Sequence, residues 1–287
     1  MPFTSLPDDA TAALYEHGPD SLRDESVPPG ATIELRHDAS AAYPGTSRRV
    51  WIHVPAACTP SAPSSVMFFQ DGWLYLDPDG EVHGGIVLDN LTHRKAIPPT
   101  IGVFVDAGIH EHETDPQTRR NRNHEYDAFD DRYATFLVEE IAPLVRQHAQ
   151  IADMPGAWGI CGGSSGGNSA LTAAWMRPDA FSYVIAYLSS FAQMPGGNPY
   201  PDLIRETPRK PIRIFMQAAR HDLGHHRPDR NWYAENLRVS AALDEAGYDH
   251  RLVVGDGGHS ANHGGVLLPD ALRWLWRSPN AVRRWAP

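Results

Sequence analysis

An α/β fold with a mostly parallel central sheet flanked by helices is the class this sequence predicts, on three observations. Short apolar runs recur from residue 64 onward, several apolar on both faces, as strands covered by helices on each side must be. Helical patterns lie between those runs, which implies parallel pairing through right-handed crossovers. Two earlier β-like runs are linked by the turn-rich Tyr43-Pro44-Gly45, which predicts antiparallel strands at an N-terminal sheet edge.

Residues 1–30 carry Pro2, Pro7, Pro19, Pro28 and Pro29 and read as an N-terminal extension, either a loose lead-in or a short helix over the main body. The edge strands are expected at 32–37 and 48–54. Further strands follow at 66–69, 101–105, 157–161, 183–186, 212–216 and 252–254. Phe129, Tyr133, Phe136, Leu137, Ile141, Leu144 and Val145 recur at spacings of three and four, giving one apolar helical stripe. A short apolar helix over 170–176 ends at Arg177-Pro178, and another over 232–246 ends at Gly247. No internal repeat or linker divides the chain, so residues 1–287 read as one domain with a catalytic body over 64–277.

Composition narrows the partners. The 287 residues hold 35 acidic and 25 basic side chains, a net charge of −10. That opposes nucleic-acid binding and docking on an anionic membrane. Cys58 and Cys161 make no disulfide framework. The N-terminus lacks a basic region followed by an apolar one, and no apolar stretch approaches the ~20 residues that span a bilayer, so a cytoplasmic location is expected. A homo-oligomer stays open.

In such sheets ligands bind beyond the carboxyl ends of the strands. Behind the run ending at Cys161 comes Gly162-Gly163-Ser164-Ser165-Gly166-Gly167, then a helix. Gly-x-Ser-x-Gly between strand and helix is a nucleophile elbow, the mark of the α/β-hydrolase fold. The turn is so tight that residues two before and two after the serine must lack bulk. Two registers fit; that of Ser164 puts the first glycine directly after the strand and is preferred to that of Ser165. The Ser165 N–H then serves an oxyanion hole at a helix start. A serine needs a base and the base an orienting acid, in chain order Ser, Asp, His. Asp222 follows the run over 212–216 and His259 follows that over 252–254. Asp256 and His263 are the rival acid and base. The second oxyanion donor is expected from the loop after 66–69, where Gln70-Asp71-Gly72-Trp73 offers the Trp73 N–H.

These residues resemble the esterase D and enterochelin-esterase branch of the α/β-hydrolases. The resemblance is carried by Phe69-Gln70-Asp71-Gly72-Trp73, Arg120-Asn121-Arg122, Glu125-Tyr126-Asp127, the glycine-serine elbow, Arg177-Pro178-Asp179 and Gly257-Gly258-His259. It implies a nucleophile at Ser164 and hydrolysis of small-molecule esters without a cofactor. One departure is Ala219-Arg220-His221-Asp222, where the family often has Gly-x-x-Asp. The charged segment 110–126, together with Asp71, gives Asp71, Arg120, Arg122 and Glu125 as candidate substrate-binding residues, the arginines for a carboxylate or phenolate. A solvated loop laced with ion pairs is the competing reading. His221, His225 and His226 show no spacing convincing for a metal. The expected activity is that of a serine esterase acting on a carboxylic ester or lactone. Acyl transfer to an alcohol would use the same triad, and a ligand-binding protein with a dead site is the contrasting class.

Overall fold

The computed structural model describes residues 13–115, 119–153 and 155–278. Part of the expected N-terminal extension, residues 1–12, lies outside them. Eight strands form one sheet: β1 Ala31–His37, β2 Arg48–Val54, β3 Ser65–Gln70, β4 Thr100–Val105, β5 Trp158–Gly163, β6 Tyr183–Tyr187, β7 Arg213–Ala219 and β8 Asp249–Gly255. Their order is β1-β2-β4-β3-β5-β6-β7-β8. The β1/β2 and β2/β4 pairs are antiparallel and all others parallel. Every expected strand is present, within a few residues of its expected ends.

The alternation of side chains explains why those runs are apolar throughout. Phe68, Ile160, Ile214 and Met216 enter one core, while Met67, Phe69, Cys161 and Phe215 enter the other. Successive side chains point to opposite faces, so a strand with helices on both sides has no polar face to show.

The helices are α1 Gly72–Leu76, α2 Gly84–His93, α3 Arg122–Tyr126, α4 Arg132–Phe136, α5 Ala142–Arg146, α6 Ser165–Met176, α7 Tyr200–Glu206, α8 Trp232–Glu245 and α9 Ala261–Leu275. The stripe begun at Phe129 runs through α4 and α5, with a π-helical turn at Leu137–Ile141 between them. That turn sits just before Pro143, whose missing N–H breaks the regular ladder. Phe129 itself lies outside the helix and packs edge-on against Tyr200. Helices α2 and α7 carry no stripe legible in the sequence. The faces of α2 hold buried Asp89, Asn90 and Thr92 as well as leucines, because its polar groups bind other segments. The Asn90 side-chain amide donates to the carbonyls of Asp20 and Leu22, and Asp89 accepts from the Gly30 N–H and from buried His53. The described part of the lead-in thus rests on the body. No helix among the described residues is long and apolar enough to cross a membrane.

Candidate active site

Ser164, Asp222 and His259 come from three different strand ends, β5, β7 and β8, and meet above the sheet. The hydroxyl of Ser164 lies 3.0 Å from His259 Nε2, and His259 Nδ1 lies 2.6 Å from Asp222 Oδ1. A carboxylate only accepts, so Nδ1 carries the ring proton and Nε2 is left to accept from the serine. Asp222 is fully buried, and its Oδ1 also accepts from the Leu223 N–H at 2.7 Å. The edge of Trp232 meets the His259 ring at a centroid distance of 5.0 Å. Acid and aromatic together leave the imidazole little rotational freedom.

Local strain marks the same place. Ser164 has φ 61° and ψ −127°, a conformation costing a non-glycine residue about 1–3 kcal/mol. A Cβ on Gly162 would lie 2.4 Å from the carbonyl carbon of Gly166, so this crossing of strand and helix requires glycine. Asp71 and Leu188, just past β3 and β6, also have positive φ and line the same cavity. This cavity, about 230 Å³, is bounded further by Tyr75, Glu81, Arg122, Tyr187 and Ser260.

Ser165, the competing serine, opens α6. Its N–H has no earlier helical carbonyl to meet, and its hydroxyl turns away to donate to Asp127 Oδ2 at 3.0 Å. Asp127, buried, also accepts from Asn123, Ser190 and Gln193 at 2.7, 2.8 and 2.9 Å. The sequence marked Asp127 within a family motif and gave it no role, because its partners are far away in the chain.

Other expectations are placed differently. The Trp73 N–H, expected in the oxyanion hole, donates to Asp106 Oδ1 at 3.1 Å, and Trp73 borders a neighbouring cavity instead. Glu125 does not face substrate space. Its side chain is fully buried and ion-paired with Arg48, a partner 77 residues away. Arg122 and Asp71 form a bidentate pair, both contacts 2.7 Å, on the cavity wall. Burial opposes the charge of Arg122, and Asp71 more than offsets it, so the guanidinium is held firmly ionised. Arg120 borders the neighbouring cavity. Of the rivals, Asp256 pairs with Arg220 at the surface. His263 accepts from Gln217 at 3.0 Å and stacks on Tyr15 at 4.0 Å. Tyr15 in turn accepts from the Asp256 N–H at 2.9 Å and trades two hydrogen bonds with the Asn262 amide, tying the lead-in to the loop that carries His259. Among the described residues no group of three or more His, Cys, Asp or Glu side chains is placed to hold a metal ion.

Burial lowers the pKa of His263 from its ordinary 6.5 to about 4. Above pH 6.5 the ring is neutral folded or unfolded; between 6.5 and 4 only the unfolded chain takes up the proton, so acidification through that window destabilises the fold. The His263→Gln variant should show a shallower fall of Tm across that window, measured by thermal denaturation; an unchanged slope would assign the acid sensitivity elsewhere.

The model of the Esterase family, described as "Putative esterase", matches residues 41–260. The chain belongs to this esterase family. The chain is 31% identical over 146 residues to the iron(III) enterobactin esterase of Escherichia coli K12, a match covering 50% of this chain and 33% of that protein. The chain thus spans about a third of that curated relative. Among solved structures it superposes on the Shigella flexneri enterobactin esterase with a TM-score of 0.68 and 24% identity, over 89% of this chain and 60% of that one. It also superposes on a ferulic acid esterase from Anaeromyces mucronatus with a TM-score of 0.66 and 16% identity, over 96% and 97% of the two chains. At such identities these structures bear on fold alone, and the fold they share is that of the α/β-hydrolases.

Proposed function

We propose that this chain is a serine esterase that hydrolyses a carboxylic ester or lactone of a small molecule through an acyl-enzyme. The observation carrying this reading is the unbroken series Ser164 hydroxyl, His259 imidazole, buried Asp222 carboxylate, with contacts of 3.0 and 2.6 Å. In the first step Ser164 Oγ bonds to the ester carbonyl carbon while its proton passes to His259 Nε2. The Asp222 carboxylate stabilises the imidazolium. The Ser165 N–H and the start of α6 face the negative charge that develops on the carbonyl oxygen. His259 returns the proton to the departing alcohol, and a water activated by the same imidazole releases the acid and frees Ser164. Membership in the esterase family supports the reaction class. The relatives' names join two unlike compounds, enterobactin and ferulic acid, so they support a small-molecule ester without choosing one.

A fluorophosphonate tests the reading. The native protein should form a covalent adduct located by peptide mass on Ser164. Labelling should vanish in Ser164→Ala and persist in Ser165→Ala. No adduct on the native chain would overturn the serine-hydrolase assignment, and the reverse pattern between the two variants would move the nucleophile by one residue.

A further inference from the structure

A second cavity of about 560 Å³ adjoins the serine cavity of about 230 Å³, and Asp71, Leu74 and Arg122 line both. The Arg122–Asp71 pair is therefore their common wall. Beyond it stand Arg49, Trp73, Asp106, residues 107–109 and Arg120.

The charges on this wall do not balance. Arg122 is neutralised by Asp71, and Arg49 by Asp106 at 2.9 Å. Arg120 pairs with no carboxylate among the described residues, so three arginines face two acids and one positive charge remains. The chain as a whole carries −10, which makes a cavity of opposite sign beside the serine a departure from its surroundings. The backbone at Arg120 is fixed by a bridge to Ile109, and the Asn121 N–H donates to the Gly108 carbonyl at 2.9 Å. Trp73, 54% exposed, supplies an uncharged flat surface next to that charge.

Resting on the esterase reading, we infer that this second cavity is the subsite for a carboxylate-bearing part of the ester, with Arg120 as its ion-pair partner and Trp73 as its apolar wall. A planar guanidinium matches a carboxylate with two parallel N–H donors, and the four other charged groups of the wall are already matched to one another. Asp71 and Arg122 then act as a divider, setting which end of the substrate reaches Ser164.

Charge-matched esters test this on either side of the scissile bond. Monomethyl and dimethyl adipate place the carboxylate on the acyl side, and 4-acetoxybenzoate and its methyl ester place it on the alcohol side. With each rate divided by that of alkaline hydrolysis, one pair should show kcat/KM favouring the charged member about tenfold or more. Arg120→Gln should erase most of that ratio and Arg120→Lys should keep part of it. Equal turnover of charged and neutral members, or a preference that Arg120→Gln leaves intact, would overturn the subsite. Turnover of none of the four with Ser164 still labelled by a fluorophosphonate would overturn the subsite alone. Turnover of none without labelling would overturn the esterase reading beneath it.

Discussion

Replacing Asp222 with alanine is expected to lower kcat about 10⁴-fold, and replacing Ser164 about 10⁶-fold, on any ester the chain turns over. The loss for Asp222→Ala arises because His259 Nδ1–H would lose its carboxylate partner, and with it both the tautomer that frees Nε2 and the charge that stabilises the imidazolium. Asp222→Asn separates those two roles. The amide oxygen can still accept from His259 and from Leu223, the two donors now on Oδ1, while the new NH₂ group takes the place of Oδ2, buried without a protein partner among the described residues. The tautomer then survives and only the charge is lost, so Asp222→Asn should retain more activity than Asp222→Ala. The two carboxylate variants falling equally would mean that charge alone matters. Combining Ser164→Ala with Asp222→Ala should cost no more than Ser164→Ala by itself, since the residues act as a unit. Steady-state kinetics of the four variants decide each point.

The largest effect on stability is expected at Arg48. Its guanidinium meets Glu125 at 2.6 and 3.0 Å, both side chains are fully buried, and it lies 4.3 Å above the Phe136 ring. Glu125 also accepts from the Gly108 N–H at 3.0 Å and from Asn121 at 2.9 Å. Arg48→Met would fill much of the space but leave a buried carboxylate without its counter-charge, a loss of about 3–5 kcal/mol. For a chain of this size that corresponds to a fall in Tm on the order of 10 °C. Arg48→Met with Glu125→Gln should recover much of the loss, because no net charge is then buried. Thermal or urea denaturation reads both. A single variant as stable as the parent would show that solvent reaches the pair. Glu125 lies on α3, which begins at Arg122, and accepts from Asn121 next to Arg120, so the same variant should also perturb the wall between the two cavities.

The strand sequence was legible because it depends on short-range patterns, and Ser164, Asp222 and His259 were candidates because each follows an apolar run in the chain order Ser, Asp, His. Short runs apolar on both faces that alternate with helical patterns read as strands between two helical layers, and a glycine-flanked serine after such a run needs no distant partner to be recognised. Glu125 and Trp73 show where that reasoning stops. Glu125 lies in a charged segment, and nothing local distinguishes a carboxylate that faces substrate from one sealed against Arg48 on β2. Trp73 follows the right strand, yet its N–H is taken by Asp106, from the end of the neighbouring strand. Helices α2 and α7 were illegible for a related reason: the polar groups of α2 bind the lead-in, which no periodicity records.

By itself, then, the sequence determined the α/β layering and the strand count, and it offered Ser164, Asp222 and His259 as a candidate series. The strands and the elbow are each encoded within a few neighbouring positions, and the acid and base by their order along the chain. Only the tertiary structure decided which serine bears the strained backbone and which faces Asp127. It alone sealed Glu125 inside, divided the cavity with the Arg122–Asp71 pair and left Arg120 without a carboxylate partner among the described residues. These features are fixed by contacts between side chains tens of residues apart, and such contacts exist only once the sheet has brought its strand ends together.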